Sequence, residues 1–286
     1  MRGMPTRLSF ARPRAAAVTA ALGMWAAAAG VSSLDGASAQ QQPERTFAWP
    51  SGKRAAISLS FDDGRASQVD VGLDVLDAAG VKATFYVVPG AVADRRERWL
   101  RAVASGHEIG NHSLAHPCSG NFPWARGKAL EEYTLAGIRR ELEEANARIA
   151  GVLGVTPVTF AYPCGQTFVG RGEATASYVP VVSRLFLAGR GWLDEAPNDP
   201  SVVDLAQVFG ASMDDQTFDD LRPLVEQTIE NGGWLVLGGH DIGTTEGRQV
   251  TRVATLSALL AHAADPRQGL WIDTVGNVAR YIRAAR

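Results

Sequence analysis

From Lys53 to the C-terminus, short apolar stretches rich in β-branched and aromatic residues alternate with amphipathic stretches of helical period. Few architectures accept that alternation, because parallel strands need helical crossovers to join them. The strand-like stretches are Ile57–Phe61, Val81–Val88, His107–His112, Val158–Tyr162, Leu185–Ala188, a weaker Leu205–Phe209, Trp234–Gly238 and Leu270–Ile272. Between them the spacing predicts helices over Ser67–Ala79, Arg95–Ser105, Leu130–Gly151, Ala174–Ser183, Thr217–Asn231 and Thr251–Ala263, with a last one to Arg286. Leu130–Gly151 sets Leu135, Ile138, Leu142, Ala145 and Ile149 on one stripe. Thr217 and Asp220 stand at the spacing of a capping box. Seven or eight strands in such units predict a single-domain β/α barrel rather than an open sheet. In such barrels the chemistry sits where the strands end.

The N-terminus is of different material. Arg2, Arg7, Arg12 and Arg14 precede an Ala-rich run from Ala15 to about Gly30, and Ala37-Ser38-Ala39 is a small-x-small cleavage pattern. Residues 1–39 therefore read as a secretory signal peptide, 40–53 as a polar linker and 54–286 as the folded domain. The expected location is secreted or periplasmic, with no stable membrane span once the signal is cut. Net charge is −2 and falls further without the four arginines of the signal, so no basic footprint points to nucleic acid. The two cysteines, Cys118 and Cys164, form a disulfide in an oxidising compartment or stand as two buried thiols.

Three strand exits concentrate chemistry. Ile57–Phe61 runs into Asp62-Asp63-Gly64, which alone is also an ordinary turn. Adjacent carboxylates leaving a strand point different ways, so one can hold a metal while the other faces a substrate. After His107–His112 comes a loop in which His112 and His116 are four residues apart, and two imidazoles plus a carboxylate make the ligand set of an open metal site. Trp234–Gly238 runs into Gly239-His240, which delivers an imidazole with little bulk beneath it. His107, inside its strand, and His262, on an amphipathic helix, read as structural.

Ser60-Phe61-Asp62-Asp63-Gly64, His112-Ser-x-x-His116 and Leu237-Gly-Gly-His240 together resemble the motifs of NodB-type polysaccharide deacetylases, over about residues 54–280. The resemblance implies a distorted (β/α)7 barrel. It also implies a divalent metal, most commonly zinc, held by Asp63, His112 and His116, with Asp62 as catalytic base and His240 as general acid. One motif departs from the family. Where the family carries Arg-x-Pro-Tyr-Gly, this chain has Ala161-Tyr162-Pro163-Cys164-Gly165, so the arginine that pairs with the base is missing. Arg190, at a later strand exit, is the candidate to replace it. Cys164 stands where the family has Tyr and would serve the oxyanion through its backbone N–H, while Tyr162 and Trp192 would wall a sugar ring.

The expected activity is hydrolysis of acetyl groups from N-acetylated, chitin-like or peptidoglycan-like polysaccharides. An O-acetyl xylan esterase shares the metal site and is the nearest rival. A glycan-binding protein without catalysis is the rival of another class, favoured only by the missing arginine.

Overall fold

The computed structural model describes residues 47–286, so the segment read as a signal peptide and residues 40–46 of the linker lie outside the described residues. In chain order the main strands are β1 (Ala55–Phe61), β2 (Thr84–Val87), β3 (Glu108–Asn111), β4 (Thr159–Ala161), β5 (Ala188–Arg190), β6 (Ala211–Ser212), β7 (Trp234–Gly239) and β8 (Leu270–Ile272). The helices are α1 (Leu73–Ala78), α2 (Arg96–Ala104), α3 (Leu135–Leu153), α4 (Val179–Leu185), α5 (Phe218–Glu230), α6 (Val253–Ala264) and α7 (Val275–Ala285). All seven residues of β1 are buried, as expected for a strand covered on both faces.

The sheet runs β5–β4–β3–β2–β1–β7–β6 with every pairing parallel. An isolated parallel bridge from Arg190 on β5 to Val208, three residues before β6, links the two ends of the sheet. There the Val208 N–H donates to the Gly189 carbonyl at 2.8 Å and the Gly191 N–H donates to the Val208 carbonyl at 2.7 Å. Seven parallel strands thus close into the distorted (β/α)7 barrel expected from the sequence. The eighth, β8, pairs with the first half of β1, Ala55–Ile57. Outside the ring, Leu59, Phe61, Phe85, Trp99, Leu237 and Leu256 form the core beneath the helices, and a second cluster joins Tyr86, Trp234 and Val236 to α7.

Several elements differ from the sequence reading for local reasons. Leu205–Phe209 is not a strand, because the Asp204 carboxylate accepts from the Ala206 N–H at 2.9 Å and caps a 3-10 turn over Leu205–Gln207. The strand β6 follows two residues after the expected one. The helix expected over Ala174–Ser183 begins only at Val179, with Pro180 in its first turn, where a proline lacks nothing. That shift moves the strand expected at Leu185–Ala188 on to Ala188–Arg190. The chain at Leu130–Glu132 makes a separate 3-10 turn before α3, whose N-cap Thr134 accepts from the Gly137 N–H, and Leu135 is exposed. Residues 47–53, read as the end of a linker, are held to the barrel. Trp49 is 5% exposed, stacks on Tyr281 at 6.1 Å and donates its indole N–H to the Gly232 carbonyl at 2.9 Å. Among the described residues no helix is long and apolar enough to cross a membrane.

Candidate active site

The ends of β1, β3, β5 and β7 bring Asp62, Asp63, His112, His116, Arg190 and His240 to one face of the barrel. At the exit of β1 the backbone turns sharply, with Asp63 at φ 74°, and left-handed φ recurs at Ser113 (64°), His116 (52°) and Cys164 (55°). Non-glycine residues held there store strain that the surrounding structure must overcome, and they cluster at functional sites. Here Asn111 Oδ1 accepts from the Ser113 N–H at 2.6 Å, and Ser113 Oγ accepts from the His116 N–H at 2.9 Å. These two bonds set the loop that turns His116 back towards His112.

The Asp63 carboxylate and the His112 and His116 imidazoles each offer one ligand atom, all within 4.8 Å of one another. Asp63 Oδ1 lies 3.6 Å from His112 Nε2 and 3.5 Å from His116 Nε2, too far for hydrogen bonds between them. His112 donates its Nδ1–H to the Ala161 carbonyl at 2.9 Å, which turns Nε2 to the carboxylate. A ligating histidine is ordinarily oriented in this way by its second nitrogen. Burial, followed by the neighbouring His112, pushes His116 down to about 4, which leaves the His116 ring a lone pair to give. Two imidazoles and one carboxylate fit a zinc-like divalent cation with positions left open. Arg65 also grips Asp63, through Oδ2 at 2.9 Å, and reaches Asp241 at 2.6 Å.

Asp62 is only 3% exposed. The Arg190 guanidinium, fully buried, donates Nη2–H to Asp62 Oδ1. Burial by itself would push Asp62 up. The Arg190 charge, then His112 and His240, more than offset it and hold the carboxyl below the ordinary range. Arg190 is itself sandwiched between rings, its Cζ 5.2 Å from the Tyr86 centroid and 5.3 Å from that of Trp192. It donates a further bond to the Gly191 carbonyl at 2.7 Å.

His240 pairs with a residue that sequence reasoning missed. Asp214, just past β6, accepts the His240 Nδ1–H at 2.6 Å, the His240 backbone N–H at 3.1 Å and the Thr251 hydroxyl at 2.8 Å. Burial lowers the imidazole's proton affinity, but the Asp214 hydrogen bond and the nearby carboxylates raise it above its ordinary value. Gly238 and Gly239 are small for definite reasons. A Cβ on Gly238 would lie 2.4 Å from the Trp192 ring, and one on Gly239 would lie 2.2 Å from Thr251 Oγ1. Gln68 was also missed. Its amide donates to the carbonyls of Asp62 at 2.5 Å and His240 at 2.9 Å, stitching the two strand ends together.

The other expected residues divide. Trp192 stands edge-on to His240, with centroids 5.0 Å apart, and lines the site. Tyr162 does not. It is 1% exposed, its hydroxyl donates to the Ala206 carbonyl at 2.8 Å, and it packs among Phe160 and Tyr178 as core. Alternate residues of a strand exit point to opposite faces, and Tyr162 falls on the helix side. The Cys164 side chain is bonded to Cys118 in a disulfide that ties the β4 exit to the His116 loop. With both sulfurs so engaged, the cluster of His116, Cys118 and Cys164 is no thiolate metal site. His107 is structural, accepting from the Ala83 N–H and meeting Asp77 at 3.2 Å. A groove of about 860 Å³ between α1, α6 and β8 lies outside the barrel, and none of these groups lines it.

The family model for polysaccharide deacetylase matches residues 39–176. The chain is 24% identical over 257 residues to gellan lyase from a Bacillus species, covering 82% of this chain and 10% of that protein. It is 36% identical over 108 residues to chitin deacetylase 1 of Cryptococcus neoformans var. grubii, 38% of this chain and 21% of the relative. Over 62 residues it is 44% identical to the Listeria monocytogenes peptidoglycan-N-acetylglucosamine deacetylase PgdA, 21% of this chain and 13% of the relative. The chain therefore spans only 10% to 21% of the length of these curated relatives. In fold it is similar to a Mycobacterium smegmatis protein described as a polysaccharide deacetylase, with TM-score 0.63 at 19% identity over 85% of this chain and 95% of that one. A family 4 acetyl xylan esterase from Clostridium thermocellum, solved with cobalt, gives TM-score 0.51 at 21% identity over 81% and 96% of the two chains. The matched segment, just under half of the chain, is a polysaccharide deacetylase domain by that family model and carries both the Asp62-Asp63 and the His112–His116 exits.

Proposed function

We propose that this chain is an exported, metal-dependent hydrolase that removes acetyl groups from N-acetylated glycans of the chitin or peptidoglycan type. One observation carries the reading: a buried, arginine-paired Asp62 beside a two-histidine, one-carboxylate cluster, with a carboxylate-backed His240 at the exit of β7. Asp63, His112 and His116 would hold a divalent cation, zinc by donor type, which when bound supplies polarisation of the acetyl carbonyl and of water.

The remaining work belongs to the chain's own groups. Asp62 takes a proton from the attacking water, and Arg190 fixes the carboxylate's orientation while favouring its ionised state. His240, its Nδ1–H held by Asp214, carries a proton on Nε2 for the departing nitrogen, since an amide anion leaves too slowly unaided. The backbone N–H at Cys164 is the donor proposed for the developing oxyanion. Trp192 shields the site beside His240. The names of the chitin and peptidoglycan deacetylases among the relatives support the substrate class. The charged, Ala-rich N-terminal segment supports export.

A panel of N- and O-acetylated glycans incubated with the zinc-loaded protein, with acetate as readout, tests this. Release from N-acetylglucosamine oligomers is expected. Release only from acetylated xylan would instead mark an esterase, and glycan binding with no acetate from any member a non-catalytic binder.

A further inference from the structure

The loop that follows His116 carries an exposed pair of rings that the catalytic reading does not use. Phe122 is 41% and Trp124 is 56% exposed, and their rings stack at 5.5 Å with 27° between planes. Exposing two large apolar rings side by side costs solvation, and such patches ordinarily mark a binding surface. Trp124 lies 5.8 Å from the His116 ring, so the platform adjoins the metal-binding cluster.

The loop is held firm beneath the rings. Cys118 is fixed to Cys164, Ser119 N–H donates to Gln166 Oε1 at 2.7 Å, and Gly120 N–H donates to Glu131 Oε2 at 3.0 Å. Ala125 and Leu130 are fully buried and anchor the far side. Lys128 sets its ammonium over the Trp124 ring, 5.9 Å from the centroid, and donates to the Ala115 carbonyl, which steadies the indole. The rings therefore hold their exposed faces without closing on a core of their own.

We propose that Trp124, with Phe122 beside it, is a stacking subsite for a pyranose residue of the same glycan chain, next to the residue whose acetyl group is removed. This rests on the glycan deacetylase reading and names what that reading leaves open, a preference for chains over single sugars. A pyranose offers an apolar C–H face of about the area of an indole and a polar rim. Lys128, over the Trp124 ring, and Asn121 and Arg126, within two residues of the rings in the chain, are groups suited to that rim. A patch of two rings is small for a protein partner. Tyr162 is core and supplies no exposed stacking face, while Trp192, edge-on to His240, lines the catalytic site itself.

The test compares kcat/KM on the N-acetylglucosamine tetramer with that on the monosaccharide, for wild type, Trp124→Ala and Trp124→Phe. Loss of one aromatic stacking partner is expected to cut the tetramer-to-monomer preference by about 3- to 10-fold, chiefly through KM, with Phe restoring most of it. An unchanged preference in Trp124→Ala, or equal losses on both substrates, would overturn the subsite. Calorimetric titration of the tetramer separates this from the parent reading. Trp124-dependent binding by a protein that releases no acetate keeps the subsite and removes the deacetylase. Acetate release with tetramer affinity indifferent to Trp124 does the reverse.

Discussion

Asp62 and Arg190 lie 128 residues apart in the chain and form an ion pair inside the barrel, both side chains at most 5% exposed. Arg190 on β5 is the register partner of Ala161 on β4. The guanidinium that the family resemblance places at position 161 is therefore found one strand along, at the same height in the barrel.

Removing that partner leaves a carboxylate buried without a cation. Arg190→Met should lower stability by about 3–5 kcal/mol and acetate release by roughly 100-fold. Because positions 161 and 190 share a layer, adding Ala161→Arg should recover part of both. Thermal melts and steady-state acetate assays on the single and double variants check this; a double variant no better than the single would refute the shared-layer account.

His240 is held above its ordinary proton affinity, with the Asp214 hydrogen bond the first of the causes that raise it. A general acid must be protonated, so its raised value extends activity towards alkaline pH. Asp214→Asn should move the basic limb of the rate profile to lower pH and reduce kcat by about 10- to 100-fold. Stability follows the same sign: the pair's contribution is complete below about pH 6.5 and is lost as pH rises through the raised folded value. Melting temperature against pH, in wild type and Asp214→Asn, reads that directly.

The Cys118–Cys164 bond closes a span of 46 residues and joins the loops that present His116 and Cys164. Cys118→Ser with Cys164→Ser should cost about 2–4 kcal/mol of stability. Zinc should also dialyse away faster, because His116 is two residues from the lost tether. Metal content after dialysis, by atomic absorption, is the readout.

Tyr162→Phe removes one buried hydroxyl, bonded to the Ala206 carbonyl, and should cost about 1 kcal/mol while leaving kcat alone. Trp192→Ala, beside His240, should lower kcat. Equal kinetic effects at the two positions would contradict the assignment of Tyr162 to the core.

Much of this was legible in the sequence because strand exits declare themselves. An apolar run ending in Asp-Asp-Gly or Gly-Gly-His is a local signal, and so is His-x-x-x-His. Arg190 could be suspected only once position 161 was seen to lack its arginine. Asp214 was hidden because its strand is two residues long and follows a turn that Asp204 imposes on an apolar stretch. Tyr162 misled because a strand-exit aromatic faces either the barrel mouth or the helices, and one residue of register decides which. Gln68 and Arg65 carry no local pattern. Their roles exist only once β1 and β7 lie side by side.

The central claim is that Asp62 acts as base beside a metal bound by Asp63, His112 and His116. Its most direct test is acetate release from N-acetylglucosamine oligomers by zinc-loaded wild type and by Asp62→Asn, with zinc content measured in both. Equal zinc in both, acetate release by wild type and a loss of roughly 100-fold or more in the variant are expected. Full activity in Asp62→Asn, or no acetate from the zinc-loaded wild type, would contradict it.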